Sequence, residues 1–301
     1  MPIKRRRKRN HTAYYVLIGI LIGYFLAGPI TYNKRISDLE SQFSDPDQST
    51  YLSGDLTIAG SSTVLPITQE VANMFMEEHS SVTISVAGGG SGHGIKAAGS
   101  GEVDVGEASR NIKESELLRY PDLVAFSVGK DSVAIVINHD NPVAEDFDVT
   151  MEELRAIFSG EISNWSELGG EEHEIEVYTR EEGSGTREVF TNYVLGEKQM
   201  VGTAGVKPSN GEMRASVVNN RYAIAYLSFG YIDESVTAAK INGIEANIEN
   251  VNNGIYPITR ILWMFTKGMP STLESAFITY VQSPEGQSVV EELGYIPIYS
   301  R

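Results

Sequence analysis

The chain has 301 residues, of which 41% are hydrophobic and 29 are glycine, and this is enough apolar material for one large or two ordinary globular domains. It contains no cysteine, so disulfides, thiolate metal sites, cysteine nucleophiles and cysteine-linked lipid anchors are excluded. Residues 1–35 hold eight of the 24 Lys and Arg and no Asp or Glu, which leaves 16 basic and 40 acidic residues, a net charge of −24, from residue 36 onward. So acidic a body is a poor candidate for binding nucleic acid, which requires clustered basic residues.

The N-terminal segment predicts a membrane anchor. Six basic residues in KRRRKRNH (4–11) precede a stretch that carries no charge until Lys34. As a helix, residues 13–32 would be about 30 Å long, the thickness of a bilayer core. The basic flank predicts that residues 1–12 form a cytoplasmic tail and that the remaining chain lies on the extracytoplasmic side of the cell membrane. A cleaved signal segment is the alternative, although no clean small-residue cleavage site follows the apolar stretch.

Residues 33–54 predict a polar linker, because they mix charged residues with Ser and one Pro. The globular body is expected to begin near Asp55. There the chain repeats one order three times: an apolar strand, a turn rich in Gly, Ser and Thr, and a stretch with helical spacing of apolar residues. The predicted strands are DLTIAG (55–60), SVTISVAG (81–88) and EIEVYTR (174–180), and the turns that follow them are SSTVLP (61–66), GGSGHG (89–94) and EEGSGT (181–186).

This repeated order is suited to binding an anion. The first turn of a helix has backbone N–H groups without partners and the positive end of the helix dipole. Hydroxyl side chains add donors, and glycine lets the backbone approach a ligand closely. Any one such turn could equally be an ordinary N-cap, since Ser and Thr are preferred there. Three turns of this kind, two of them close to arginine, favour one shared anionic ligand.

Motifs for nucleotides and for catalysis do not fit the sequence. The stretch that begins at Gly88 has His93 where the dinucleotide fingerprint G-x-G-x-x-G requires glycine, and the chain has no phosphate-binding loop of the form G-x-x-x-x-G-K-[ST]. The hydrolase motif G-x-S-x-G around Ser184 would need glycine where Glu182 stands. The five histidines lack metal-ligand spacing. We therefore expect a small ligand, no enzymatic activity, no cofactor and no metal.

Six motifs together resemble one known family. They are GSSTVLP (60–66), GGGSGHGIKA (88–97), VDVGEASRNIKESE (103–116), IFSGEISNWSELGG (157–170), REEGSGTREVF (180–190) and SPEGQSVVEELGYIP (283–297). In this order they are similar to the PstS-type phosphate-binding proteins of phosphate ABC importers, and the likeness covers essentially all of residues 55–301. The resemblance implies capture of inorganic phosphate and delivery to ABC permease subunits.

The resemblance also implies an architecture, the α/β type II periplasmic-binding-protein fold, in which two lobes with mixed sheets close on one oxyanion. The family's layout suggests that residues 55–135 and 228–301 form the first lobe and residues 136–227 the second. Two hinge strands would join the lobes, SVAIVIN (132–138) and YAIAYLS (222–228). Both are apolar and rich in β-branched residues, which suits a strand on pattern alone.

The resemblance further implies which residues contact the anion. Carried over by motif, they are Ser62, Thr63, Ser91, Ser109, Arg110, Arg180, Ser184, Gly185 and Thr186. Arginine would supply charge and paired donors, and the hydroxyls and amides would supply direction.

One departure from the family pattern concerns specificity. Some family members have an aspartate where this chain has Arg110, and it accepts the proton that phosphate carries and sulfate lacks. We expect another acceptor here, with Asp131 preferred because it begins a predicted hinge strand, and with Glu107 and Glu181 as alternatives. If none of them serves, another tetrahedral oxyanion is the alternative ligand. A surface adhesion or signalling protein on the same fold is the alternative function.

Overall fold

A computed structural model describes residues 52–299. The predicted tail (1–12), the predicted anchor (13–32) and most of the linker (33–54) lie outside these residues. Within them, no helix is both long enough and apolar enough to cross a bilayer.

The first lobe begins with three parallel strands and the helices that connect them. Strand β1 pairs in parallel with both β2 and β3. Parallel neighbours require a crossover connection, and α1 and α2 provide it. The elements, in chain order, are β1 (Gly54–Gly60), α1 (Leu65–Glu78), β2 (Val82–Gly88), α2 (Ser91–Ser100), β3 (Val105–Ala108) and α3 (Glu114–Arg119).

One long strand then passes from the first lobe into the second. Strand β4 (Leu123–Asn138) has 16 residues. Its first part pairs antiparallel with β11 (Thr259–Lys267), and its second part, from Val133 to Ile137, pairs antiparallel with β8 (Ala223–Ser228). The change of partner occurs after Ser132, so the crossing between the lobes lies there.

The second lobe contains the remaining strands and shorter helices. In chain order they are a 3₁₀ turn (Ala144–Asp146), β5 (Asp148–Val149), α4 (Met151–Ser159), a 3₁₀ turn (Trp165–Leu168), β6 (Glu176–Arg180), α5 (Gly185–Phe190), a π-helical turn (Thr191–Leu195), β7 (Gly205–Lys207), α6 (Asn210–Val218), β8, a 3₁₀ turn (Phe229–Tyr231), β9 (Val236–Ala238), β10 (Lys240–Ile241) and α7 (Ile248–Asn252). Strand β11 returns to the first lobe, where α8 (Thr272–Val281) and α9 (Pro284–Glu292) complete the described chain.

The sheet that links the lobes is mixed, as the resemblance implies. Its order is β2-β1-β3-β11-β4-β8-β6-β7, and β9 pairs with β4. Strand β6 runs parallel to β8 and β7, whereas β4 and β11 run antiparallel to their neighbours. Strands β5 and β10 form a separate parallel pair.

Among residues 52–299, the two larger hydrophobic cores correspond to the two lobes. One core packs Leu56 and Phe75 against Phe277. The other packs Trp165 and Tyr226 with the apolar residues of β4 after Ser132. Each core excludes water from its own set of helices and strands, so the lobes are separate packing units joined at the crossings.

The second lobe extends further along the chain than the sequence suggests. Phe229, Val236, Ile241 and Tyr256 pack in its core, and the chain returns at about residue 258 rather than 228. Strand β8 therefore does not join the lobes; it lies inside the second lobe, between β4 and β6. A strand with neighbours on both sides and a strand that crosses between lobes have the same apolar, β-branched pattern, so the pattern could not separate them.

A candidate anion-binding site

Four helices begin where the two lobes meet. Thr63 lies just before α1, and Ser91 is the first residue of α2, both in the first lobe. Gly185 and Asn210 are the first residues of α5 and α6 in the second lobe. All four residues are buried. The positive ends of four helix dipoles therefore face one region between the lobes.

Donors from both lobes converge on one oxygen, Thr63 Oγ1. It accepts hydrogen bonds from Asn210 Nδ2 at 2.9 Å and from Arg260 Nη2 at 3.1 Å. It also lies 3.3 Å from Thr186 Oγ1, and either hydroxyl can be the donor of that bond. Asn210 and Thr186 belong to the second lobe, so this cluster joins the lobes through polar groups.

Two more hydroxyls lie beside this cluster. Ser91 Oγ accepts from the backbone N–H of Ser109 at 3.0 Å and lies 3.3 Å from Ser109 Oγ. Gly185 of the second lobe packs directly against them. A Cβ at Gly185 would come within 2.7 Å of Ser109 Oγ and closer still to Ser91 Oγ. Only glycine allows the lobes to approach this closely.

Arg260 supplies a positive charge at the junction of the lobes. Its Nε and Nη2 donate to Asp131 Oδ2 at 2.9 and 2.7 Å, and its Nη1 donates to Thr186 Oγ1 at 2.9 Å. Asp131 also accepts from Ser228 Oγ at 2.9 Å and from the backbone N–H of Phe229 at 3.1 Å. These contacts hold the guanidinium in one orientation.

The contacts of Asp131 differ from those expected of a phosphate-proton acceptor. Both of its oxygens accept hydrogen bonds from the protein, and its buried carboxylate forms an ion pair with Arg260. Asp131 binds Nε and Nη2 of Arg260 and leaves Nη1 to contact Thr186, so it is suited to orienting Arg260.

The other two candidate proton acceptors, Glu181 and Glu107, also accept hydrogen bonds from the protein. Glu181 binds Arg180 with both carboxylate oxygens, each at 2.9 Å. Glu107 is fully buried on β3 and accepts from Thr68 Oγ1 of α1, while its Oε2 has no hydrogen-bond partner within residues 52–299. Burial raises the pKa of Glu107 to about 8, despite the opposing effect of the Thr68 hydrogen bond. Glu107 is therefore largely protonated at neutral pH.

Arg180 lies at the end of β6 and is buried. Besides its two bonds to Glu181, it donates to the carbonyls of Lys207 and Pro208, each at 3.2 Å. Its Nη1 has no hydrogen-bond partner in the described part of the chain. Carboxylate and carbonyl oxygens thus hold Nε and Nη2, and the two N–H groups of Nη1 have no partner among residues 52–299.

Arg110 is bound by carboxylates. Its Nη1 and Nη2 donate to Glu116 at 2.8 and 2.6 Å. Its Nε lies 3.1 Å from Glu188 Oε2, an ion pair without the geometry of a hydrogen bond. Burial alone would lower the pKa of Arg110, but the hydrogen bond to Glu116 and the charges of Glu188 and Glu116 outweigh this effect and raise it. These contacts place Arg110 at the interface between the lobes, beside the polar cluster.

Two residues expected to contact the anion make other contacts: Ser184 caps a helix, and the Ser62 backbone joins the lobes. Ser184 Oγ accepts from the backbone N–H of Arg187 at 3.2 Å, which is the ordinary N-cap that the sequence left as an alternative. The carbonyl of Ser62 accepts from Tyr231 Oη at 2.6 Å.

The backbone N–H groups at the start of α1, which we expected to bind the anion, donate hydrogen bonds to Ser61 instead. The backbone N–H of Thr63 donates to Ser61 Oγ, and those of Val64 and Leu65 donate to its carbonyl.

Sequence reasoning missed Arg260 and Asn210, although signals for both exist. Arg260 alternates with Ile258, Leu262 and Met264, and these residues are all buried. An arginine on the apolar face of a strand requires a buried partner. Asn210 lies within a fourth strand-turn-helix segment, GVKPSNGE (205–212), which resembles the three that were recognised.

Two lobes that close over a buried cluster of hydroxyls, an amide and an arginine are the features of a solute-binding protein, and a family model described as a PBP superfamily domain matches residues 45–285. The phosphate-binding protein PstS of Bacillus subtilis is 36% identical to this chain over 249 residues, which cover 82% of this chain and 81% of that protein. PstS of Pseudomonas aeruginosa is 26% identical and covers 91% of this chain and 92% of its own. The chain therefore belongs to the PBP superfamily and, within it, to the family of the phosphate-binding protein PstS.

Solved structures support the same assignment. A structure from Clostridium perfringens that holds bound phosphate has a TM-score of 0.77 and 33% identity, and it covers 82% of this chain and 100% of its own. An ABC-type phosphate transport receptor from Vibrio cholerae has a TM-score of 0.66 and 31% identity, and it covers 80% of this chain and 99% of its own.

Proposed function

We propose that this protein is an extracytoplasmic substrate-binding protein that captures inorganic phosphate between its lobes and delivers it to an ABC permease. The observation that carries the proposal is the convergence of donors from both lobes on Thr63 Oγ1. A tetrahedral anion that replaces these mutual contacts with its own would bind both lobes at once. Ligand binding is then coupled to closure.

We propose a division of roles among the residues that contact the anion. Arg260 supplies the charge, and Asn210 adds an amide donor. The hydroxyls and the closely packed glycine come from Thr63, Ser91, Ser109, Gly185 and Thr186. Ser184 caps α5, and the carbonyl of Ser62 joins the lobes through Tyr231. Arg180 flanks the proposed contacts with an Nη1 that has no partner among residues 52–299, and Arg110 lies at the interface of the lobes.

Directed hydrogen bonds, rather than net charge, are proposed to provide the affinity. Arg260 is paired with Asp131, and Arg180 with Glu181. The residues from 36 onward carry a net charge of −24, which repels an anion at long range. A charge-assisted hydrogen bond contributes about 1.5–3 kcal/mol, so a few well-placed donors offset this repulsion.

The proposed anchor lies in residues 13–32, with the N-terminus in the cytoplasm. Six basic residues on one side and an uncharged stretch of bilayer length support this orientation. The polar linker would then let the lobes reach a neighbouring permease, since a flexible coil of 22 residues spans roughly 25 Å.

Isothermal titration of the purified full-length chain, stripped of ligand, tests the function. We expect heat with phosphate and little heat with sulfate. Equal heat with both anions would indicate a receptor for tetrahedral oxyanions in general. No heat with either anion would contradict the proposal and favour an adhesion or signalling role on the same fold.

A further inference from the structure

A second set of charged residues joins the lobes outside the cluster around Thr63. Glu188 Oε2 of α5, in the second lobe, lies 2.6 Å from Lys113 Nζ and 3.1 Å from Arg110 Nε. Both basic residues belong to the segment that follows β3 in the first lobe. The carboxylate of Glu188 is thus held between two cations of the opposite lobe.

The exposure of these side chains places the ion pairs at the solvent edge of the interface. The Arg110 side chain is 3% exposed, that of Glu188 is 26% exposed and that of Lys113 is 48% exposed. An ion pair with one buried member is screened less than a fully exposed pair, so it contributes more.

The backbone beside these ion pairs is also in contact. The N–H of Gly92 donates to the carbonyl of Gly183 across the interface at 3.0 Å. A Cβ at Gly92 would lie 3.8 Å from Arg110 Nη2 and 3.4 Å from the Cα of Gly183. Arg110, Lys113 and Glu188 therefore lie next to the backbone contact between Gly92 and Gly183, within one interface between the lobes.

Glu188 shares a short helix with the proposed anion site. Helix α5 begins at Gly185, beside the hydroxyls of Ser91 and Ser109, and Glu188 is three residues further on. A bound anion that fixes the first turn of α5 also fixes the position of Glu188. Occupancy of the site and formation of the ion pairs are coupled through this helix.

We propose that Arg110, Lys113 and Glu188 form a latch that holds the lobes closed over the bound anion and sets the rate of its release. This inference rests on the proposed function. Arg110 has a second partner on its own lobe, because Glu116 binds it through both carboxylate oxygens. When the lobes separate, the guanidinium stays paired and Glu188 becomes hydrated, so opening leaves no buried charge unpaired.

Release of phosphate from the loaded full-length protein tests the latch, with a fluorescent phosphate reporter in excess. We expect Glu188→Gln to accelerate release about tenfold, the factor that corresponds to 1.4 kcal/mol. Lys113→Met should accelerate it less, because its side chain is half exposed. The double variant should release more slowly than the product of the two single effects predicts, since both changes remove the same Lys113–Glu188 ion pair.

Glu161→Gln is the matched control, because Glu161 pairs with Lys198 at 2.6 Å within the second lobe alone. It should release phosphate at the wild-type rate. A Glu188→Gln protein that is folded, binds phosphate and releases it within twofold of the wild-type rate would overturn the latch.

The distance between the lobes can be measured without phosphate, which provides a second test of the latch. Spin labels placed on the two lobes should show a longer or broader distance distribution in Glu188→Gln than in wild type, and Glu161→Gln should match wild type. If wild-type protein binds no phosphate, the proposed function fails, and these distances still decide the latch. Identical distributions in all three proteins would refute it.

Discussion

Thr63 Oγ1 contacts polar groups of both lobes, since it accepts from Asn210 and Arg260 and lies beside the hydroxyl of Thr186. We predict that Thr63→Val, which keeps the shape but removes the hydroxyl, lowers phosphate affinity by about tenfold to a hundredfold. In the complex the substitution removes the hydroxyl that donates to the anion, and a hydrogen bond to a charged group contributes about 1.5–3 kcal/mol. Isothermal titration measures the loss, with Thr203→Val on the exposed surface as the control. Unchanged affinity would remove Thr63 from the site.

A substitution at Asp131 distinguishes two roles for this residue, orienting Arg260 and accepting the phosphate proton. If it orients Arg260, Asp131→Asn should weaken phosphate and sulfate binding by the same factor, because the misplaced guanidinium serves either anion. If it accepts the phosphate proton, the same substitution should weaken phosphate and strengthen sulfate, because a repelling carboxylate is removed. The hydrogen bonds of both its oxygens to the protein favour the first outcome. Parallel titrations with both anions decide between them.

At the scale of elements, helix capping separates the proposed ligands from residues that only maintain structure. Helices α5 and α6 have serine N-caps, Ser184 and Ser209, whose hydroxyls accept from amides three residues on. Helix α2 has Gly90 at its N-cap position and therefore no side-chain cap. A serine before a helix therefore indicates a cap as readily as a ligand, and Ser184 is an example of the first.

Strand β3 places a neutral carboxylic acid beneath α1. The pKa of Glu107 is about 8 in the folded chain, against 4.5 for an ordinary glutamate. Between these values the unfolded state releases the proton and the folded state retains it. Stability is therefore highest below pH 4.5 with respect to this group, decreases as pH rises and becomes constant above pH 8, with a slope of at most about 1.4 kcal/mol per pH unit.

Glu107→Gln should remove this dependence. Its amide oxygen can still accept from Thr68, and it has no proton to lose. We predict that the variant gains stability relative to wild type between pH 5 and pH 7.5, as measured by urea unfolding at both values. The same relative stability at the two pH values would show that Glu107 is ionised in the folded protein.

At the scale of the whole molecule, closure requires that the backbone of Gly185 in the second lobe contact the hydroxyls of Ser91 and Ser109 in the first lobe. Gly185→Ala would place a methyl group against Ser91 and Ser109. We predict that this variant folds but does not close, so its radius of gyration in small-angle X-ray scattering should not decrease when phosphate is added. Wild type and Gly202→Ala, where a Cβ meets no atom within 4 Å, should both contract. Contraction of Gly185→Ala with unchanged affinity would contradict this account of closure.

The negative net charge of the residues from 36 onward leads to a prediction about the salt dependence of binding. If hydrogen bonds provide the affinity, raising sodium chloride from 50 to 500 mM should change the phosphate Kd by less than about threefold, because contacts shielded from solvent are screened little. Titrations at the two concentrations measure this. A steep loss of affinity would instead indicate an exposed, charge-driven site.

The sequence by itself determined the fold class, through the resemblance of its six motifs to one family. It also determined three of the helix starts, because turn and helix preferences are local and Gly, Ser and Thr mark the turns at Thr63, Ser91 and Gly185. Only the tertiary structure brought Asn210 and Arg260 to Thr63, from 147 and 197 residues away along the chain. It also decided that the chain returns to the first lobe near residue 258, and that Arg110 binds carboxylates of both lobes. Each of these depends on which distant groups share one buried volume, and local sequence pattern does not encode that.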